Sequence, residues 1–242
     1  MANIKKGNPD ILDWAELGPV YGAQWRNWGG KKLAFKMKDI NGNEFSNQED
    51  IQGIDQVSGL LGDLRKNPDS RRLMVSAWNV GDVSSMVLPP CHYVFQCYTR
   101  ELTWEERAKL LDTTDGPWDS IASIGTEMDK QNLPKRAISL KFTMRSTDIF
   151  LGLPFNLASY GLLLQMIANE VNMVADELIF SGGYCHIYLN HIEPCKTQLN
   201  QKVYELPRIE INKDKSIFDL DHTDIKLINY ESSPAIKGEL SN

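Results

Sequence analysis

Long hydrophobic runs are missing from this 242-residue chain: nowhere do about 18 apolar residues follow one another, so no membrane-spanning helix is expected. The start, Met1-Ala2-Asn3-Ile4-Lys5-Lys6, lacks the apolar stretch of a secretion signal, which points to a cytoplasmic protein, in the host cytoplasm if its source is viral. Cysteine is scarce, with four scattered positions (Cys91, Cys97, Cys185, Cys195). A chain of this size needs no disulfide staples, so reduced thiols are expected. There is no Cys-x-x-Cys pair and no short His-x-x-x-His spacing, so no metal site is expected. Positive charge is in deficit: 26 Lys and Arg stand against 32 Asp and Glu, a formal net charge of −6. That balance speaks against broad attraction to nucleic acid, whether DNA or RNA. A small anionic ligand remains allowed where arginines gather, and Arg71, Arg72 and Arg145 are the candidates.

What is present supports one sizeable core, since 42% of the residues are hydrophobic. A single domain over residues 1–242 is the expectation. The most informative residue is Cys91, in Leu88-Pro89-Pro90-Cys91-His92. Two prolines fix φ and remove backbone donors, forcing an abrupt extended entry that can present the next side chain at a cleft edge. A thiolate is a strong nucleophile, and cationic neighbours favour it over the thiol. Taken alone, the pentapeptide also fits a small buried hydrophobe.

Along the chain, the polar stretch from Asn3 to Glu16 carries Trp14 near its end, and the glycine- and tryptophan-rich run after it (Trp25, Trp28, Gly29, Gly30) reads as an irregular cap. Lys31 to Asp50 is charged and holds Asn41-Gly42-Asn43, which predicts a solvated hairpin or loop insertion. Ile54, Val57, Leu60, Leu61 and Leu64 form a helical stripe that stops before Asn67-Pro68-Asp69. Leu73–Trp78 and Tyr93–Tyr98 read as strands, with Cys91 at the mouth of the second. A polar insertion lies between Thr99 and Arg136. It opens with a Thr103 N-cap and Glu105 and Glu106 in the first turn, and places Leu102, Glu106 and Leu110 along one helical face. Ala137–Thr143 alternates as a half-buried strand. Leu157–Val174 is a long apolar helix, Leu178–Phe180 and His186–Leu189 read as strands, and His191–Gln201 as a helix. The class is α/β.

Several motifs stand in one order: Leu17-Gly18-Pro19-Val20-Tyr21-Gly22-Ala23-Gln24-Trp25-Arg26, Asp69-Ser70-Arg71-Arg72, the Cys91 segment, Met144-Arg145-Ser146-Thr147-Asp148 running on to Tyr160, and Gly182 to His191. In that order they resemble the thymidylate synthase family, in a short and phage-type form. The resemblance runs from about Leu17 onward, broken by insertions at about 31–50 and 101–136. It implies a three-layer mixed-sheet sandwich whose dimer packs two sheets back to back.

For the site, the resemblance implies that Cys91 attacks C6 of a uracil ring so that C5 can take a one-carbon unit from 5,10-methylenetetrahydrofolate. Arg145 with Ser146 matches the phosphate-binding pair, and Arg71 with Arg72 matches the arginines donated to that phosphate across a homodimer interface; without the family, the latter two would read as a solvated turn. Asn156 offers an acceptor and a donor to the N3–H and O4 edge of uracil, which favours dUMP, whereas cytosine-acting relatives carry aspartate there. In isolation, Asn156 also fits a turn before the following helix. His186 and Tyr188 match the partners of the deoxyribose hydroxyl, although a core histidine and a packed tyrosine are the plainer reading. His92 belongs with the substrate set. Asp148, Gly152, Phe155 and Trp14 match the folate side, and Tyr21 a proton-transfer tyrosine.

Three departures from the family pattern bear on the product. The family's N-terminal phosphate loop and glutamate have no counterpart before Asn3, so a separate N-terminal chain is one expectation. Of two folate-pocket tryptophans only Trp14 is matched, with Ile11 or Leu12 near the other. The chain ends Leu240-Ser241-Asn242 after Ala235-Ile236-Lys237-Gly238, and Tyr184 and Met144 replace more usual polar residues. The leading expectation is a folate-dependent thymidylate synthase acting on dUMP. The alternatives are a dUMP hydroxymethylase, in which water reaches the intermediate, and a non-catalytic nucleotide-binding or structural subunit.

Overall fold

The computed structural model describes residues 17–38, 44–111 and 121–240; Ile11, Leu12, Trp14 and the Asn41-Gly42-Asn43 turn lie outside the described residues. Helix α1 (Tyr21–Arg26) opens the described chain. Strands β1 (Lys31–Lys38) and β2 (Glu44–Ile51) pair antiparallel, from Lys31 opposite Ile51 to Lys38 opposite Glu44, so the charged insertion is a hairpin. Helix α2 (Gln56–Lys66) starts where the Asp55 carboxylate accepts the Ser58 N–H at 3.0 Å, and it ends at Asn67 before Pro68.

The main sheet follows, with β3 (Met74–Ser76), β4 (His92–Glu101), β5 (Arg136–Asp148) and β6 (Val174–His186) side by side in that order. Between β4 and β5 stand the insertion helices α3 (Trp104–Ala108) and α4 (Ile121–Lys130). The first two strand pairings are antiparallel and the third is parallel. A parallel pair needs a long crossover, which α5 (Gly152–Glu170) supplies. The chain continues through α6 (Ile192–Leu199) to a small antiparallel pair, β7 (Arg208–Ile211) and β8 (Ile225–Ile228).

One face of the sheet carries the core. Val57, Leu60, Leu61 and Leu64 of α2 and Tyr160, Leu164, Ile167 and Ala168 of α5 meet Val75, Phe95, Cys97, Ile138, Leu140, Phe142 and Met144. Each fully buried large apolar side chain contributes about 1.5–3 kcal/mol. The opposite face exposes Met74, Tyr98 and Lys141. The helices and the sheet thus form two layers of one subunit, a mixed α/β arrangement consistent with the expected fold.

Several boundaries differ from the sequence reading. The supposed irregular cap contains α1. Helix α5 begins at Gly152 rather than Leu157, because Pro154 falls in the first turn, where its missing N–H leaves no bond unmade. It also stops at Glu170, where Asn172 at φ +52° turns the chain out of the helix. The strand read at Leu178–Phe180 extends over the whole of β6, through the Gly182-Gly183 pair, while the strand expected at His186–Leu189 does not form: β6 ends at His186 and Leu189 already opens a 3-10 turn. Helix α3 ends at Ala108, so Leu110 lies beyond it in a turn rather than on the expected helical face.

Candidate active site

The segment leading to Cys91 is fastened from below by amides. Gln24 is 1% exposed and donates through Nε2 to the Pro19 carbonyl and to Asp82, each at 2.9 Å. Asn79 Nδ2 donates to Gln24 Oε1 at 3.1 Å and to Asp82 at 2.9 Å. Gln56 Nε2 donates to the carbonyls of Gln24 and Ser76, both at 2.8 Å, tying α1 and α2 to β3. Gly18 sits at φ +77° with its α-carbon against Ser85, where any side chain would run into the Ser85 carbonyl.

Above this base, Cys91 stands half-buried just before β4. Its N–H donates to the Tyr21 hydroxyl at 2.9 Å. Arg145 of β5 donates Nε to the Pro90 carbonyl and Nη2 to the Pro89 carbonyl, both at 2.9 Å, and its own N–H bonds the Cys91 carbonyl at 2.8 Å. Nη2 also lies 3.9 Å from Cys91 Sγ. The diproline carbonyls, which have no strand partner, are thus met by one guanidinium, and the same group sets a positive charge at the sulfur. Cys97, six residues on, points into the core, and burial pushes its thiol up to about 12. Only one of the two cysteines around β4 is presented for reaction.

Tyr21, His92, Trp25 and Tyr160 form an aromatic nest beside the thiol. The Tyr21 and His92 rings stack with centroids 3.9 Å apart and planes 5° apart, Trp25 meets His92 edge-on, and His92 Nδ1 is 2.8 Å from the Tyr160 hydroxyl. Burial pushes the His92 imidazole down to about 4, so it is neutral at neutral pH. Burial also raises the Tyr21 and Tyr160 hydroxyls above the ordinary tyrosine value, which keeps both protonated.

A second group gathers where β5 and β6 end. Parallel register sets Ser146 beside Tyr184 and Asp148 beside His186, and the Ile149 N–H donates to the His186 carbonyl at 2.9 Å. Although β6 stops at His186, the Tyr188 ring still meets the His186 ring edge-on at 4.9 Å. His186 Nδ1 is buried without a hydrogen-bond partner among the described residues. Asp148 accepts the Phe150 N–H at 3.0 Å, which turns the chain into α5. One helical turn on, Asn156 faces back towards Gly152, where an added Cβ would have Asp148 Cβ at 3.7 Å and Asn156 Oδ1 at 3.9 Å. Gly152 therefore leaves a bare stretch of wall between a carboxylate and an amide. Phe155, 74% exposed, projects from the same turn. His191, fully buried, lies 2.7 Å through Nε2 from the Glu239 carbonyl, and its Nδ1 is 4.0 Å from Asp148.

Arg71 and Arg72 are not brought to this site. They sit exposed on the turn between α2 and β3, which is bonded to Thr99 far along β4. Eight residues of strand separate Cys91 from Thr99, about 26 Å at roughly 3.3 Å per residue, beyond the reach of an arginine side chain.

The family model described as Thymidylate synthase matches residues 8–242. The chain belongs to the thymidylate synthase family. Among relatives named "Thymidylate synthase", that of Coxiella burnetii (strain Dugway 5J108-111) is 38% identical over 234 residues, covering 95% of this chain and 69% of that protein. That of Mesoplasma florum is 37% identical over 238 residues, covering 98% and 63%. The protein of Corynebacterium aurimucosum is 38% identical over 233 residues, covering 95% and 68%.

Within this thymidylate synthase frame, the structure adds groups that motif reading passed over. Trp25 and Tyr160 complete the nest around His92, and the Pro89 and Pro90 carbonyls anchor Arg145. Tyr160 had a signal in the sequence, because it stands four residues after Asn156 and so lies on the same side of a helix. The proline carbonyls had none, since backbone acceptors are common to every residue.

Proposed function

We propose that the protein converts dUMP to dTMP, with 5,10-methylenetetrahydrofolate as co-substrate, through a covalent bond from Cys91 to the pyrimidine. The observation that carries this reading is the Cys91 thiol at the mouth of β4, with the Arg145 guanidinium 3.9 Å from its sulfur and Tyr21 on its backbone. C5 of uracil is a poor nucleophile, and addition of sulfur at C6 moves electron density to C5. Arg145 spends two of its five N–H donors on the proline carbonyls, leaving the others, with Ser146, to grip a phosphate. Asn156 reads the N3–H and O4 edge of the ring. His186 and Tyr188 take the deoxyribose hydroxyl, which answers the unpartnered Nδ1 of His186. Tyr21, held protonated, serves proton transfer next to the sulfur.

The folate side is suited to a pterin. Asp148 supplies a carboxylate acceptor for a ring edge rich in N–H, Gly152 leaves the wall bare for a flat ring, and Phe155 offers an apolar face. When bound, 5,10-methylenetetrahydrofolate supplies both the one-carbon unit and the hydride that make the methyl group. Asp148 then orients the ring while its neighbour His191 holds the segment at Glu239 over the same floor.

The active form is a homodimer in which the exposed sheet faces meet, placing Arg71 and Arg72 of each subunit at the phosphate of the other site. Their separation from the Cys91 of their own chain supports that reading. The hydroxymethylase and non-catalytic alternatives have no comparable support, since the relatives above are all named thymidylate synthase. Incubation with dUMP and 5,10-methylenetetrahydrofolate, followed by mass analysis, gives dTMP, and Cys91→Ser abolishes it. A product heavier than dTMP by one oxygen, or turnover surviving in Cys91→Ser, overturns the assignment.

A further inference from the structure

Arg71 and Arg72 are exposed, and among the described residues neither makes an ion pair. The nearest carboxylate in the chain is Asp69, two and three residues before them. A carboxylate so close on an exposed turn would ordinarily pair with one of the guanidiniums and weaken its hold on an anion. Here Asp69 is already engaged. Arg136, the first residue of β5, forms an ion pair with Asp69 through Nη2. Its Nε donates to Thr99 Oγ1 at 3.0 Å, and that hydroxyl donates to the Pro68 carbonyl at 2.9 Å, so one guanidinium holds both the side chain and, through Thr99, the backbone of the turn. The Arg136 side chain is 16% exposed and that of Asp69 74%, so the fixed member of the pair is the arginine. Glu101 Oε1, 3.6 Å from Nη1, steadies it from the other side.

We propose that Arg136 is a positioning residue for phosphate binding: by engaging Asp69 and, through Thr99, the Pro68 carbonyl, it keeps Arg71 and Arg72 unpaired and aimed at a nucleotide phosphate. The inference rests on the reading that Arg71 and Arg72 bind that phosphate. Arg136 stands where the 101–136 insertion rejoins the sheet, so the insertion's return strand carries the residue that prepares the arginine pair.

The test is steady-state kinetics on the full-length protein. Arg136→Met raises the KM for dUMP about fivefold, the effect of one exposed ion pair released to compete for the arginines, while kcat at saturating dUMP stays within about twofold. Adding Asp69→Asn to Arg136→Met brings KM back towards the parent value, which a merely structural role for Arg136 would not do. Thr99→Val, an isosteric change, raises the same KM by about two- to fivefold and serves if Arg136→Met does not fold. An unchanged KM in whichever of these variants folds, or a rise that Asp69→Asn leaves in place, overturns the inference. Arg71→Ala with Arg72→Ala separates the two readings. If that pair raises KM and the Arg136 and Thr99 variants do not, only the role of Arg136 fails; if that pair leaves KM unchanged, the phosphate reading fails and the inference falls with it.

Discussion

Tyr21→Phe isolates a single hydroxyl. In the parent, that hydroxyl accepts the Cys91 N–H at 2.9 Å, while the ring stacks on His92 at 3.9 Å. Phenylalanine keeps the stack and removes only the acceptor. A backbone N–H left without a partner costs about 1–3 kcal/mol when buried, and because Cys91 is half-buried, water meets part of that cost, placing it near 1 kcal/mol. For a chain of this size, 1 kcal/mol lowers Tm by about 2–4 °C. The activity loss is separate and larger. If the hydroxyl moves a proton next to the sulfur, its removal lowers kcat by about 10²- to 10⁴-fold. Calorimetric melting and dTMP formation at saturating substrates measure the two effects on one preparation. A kcat within about threefold of the parent refutes the proton-transfer role, and a Tm drop beyond about 10 °C refutes the claim that packing is preserved.

Two further outcomes follow from the site. Because burial pushes His92 down from 6.5 to about 4, the unfolded chain takes up a proton in that interval that the folded one resists. Stability is therefore full above pH 6.5 and falls as the pH drops towards 4; urea-unfolding midpoints across this interval show the decline, and His92→Gln flattens it. At Gly238, a Cβ would stand 2.8 Å from Phe150 Cε1 and 3.2 Å from Leu151 Cδ2, so Gly238→Val unseats the segment that His191 holds by the Glu239 carbonyl. Faster trimming by carboxypeptidase and a raised KM for 5,10-methylenetetrahydrofolate are expected, and unchanged trimming contradicts the seating.

Much of the architecture was legible where apolar spacing was regular. The stripe from Val57 to Leu64 and the alternation from Ile138 to Phe142 are direct imprints of a helix and a strand on one core, whereas Ile54, read into the same stripe, lies before the helix, bridged to Trp28, and is 66% exposed. Boundaries were less legible where one residue permits two states. The sequence reading stops a strand at Phe180, yet Gly182 and Gly183 lie within it, and it starts a helix at Leu157, after Pro154, which sits in the first turn where it is harmless. At the site, Cys91 and Arg145 were visible as residue types, and the structure joins them directly. The Tyr21 bond to the Cys91 backbone was not visible, because it links positions 70 residues apart through a main-chain donor that every residue except proline possesses. The engagement of Asp69 by Arg136 was hidden for the same reason: 67 residues separate the two.

The amide lattice of Gln24, Gln56 and Asn79 under the Cys91 segment also divides the site by its response to salt. Its three amides neither titrate nor carry charge, and the one carboxylate they hold, Asp82, is met by neutral donors. Dissolved ions screen attraction between charges and leave amide bonds nearly untouched. The placement of the sulfur is thereby insulated from ionic strength, while the capture of an anionic nucleotide by arginines is not. Added electrolyte weakens the grip on the nucleotide without disturbing the geometry in which it reacts.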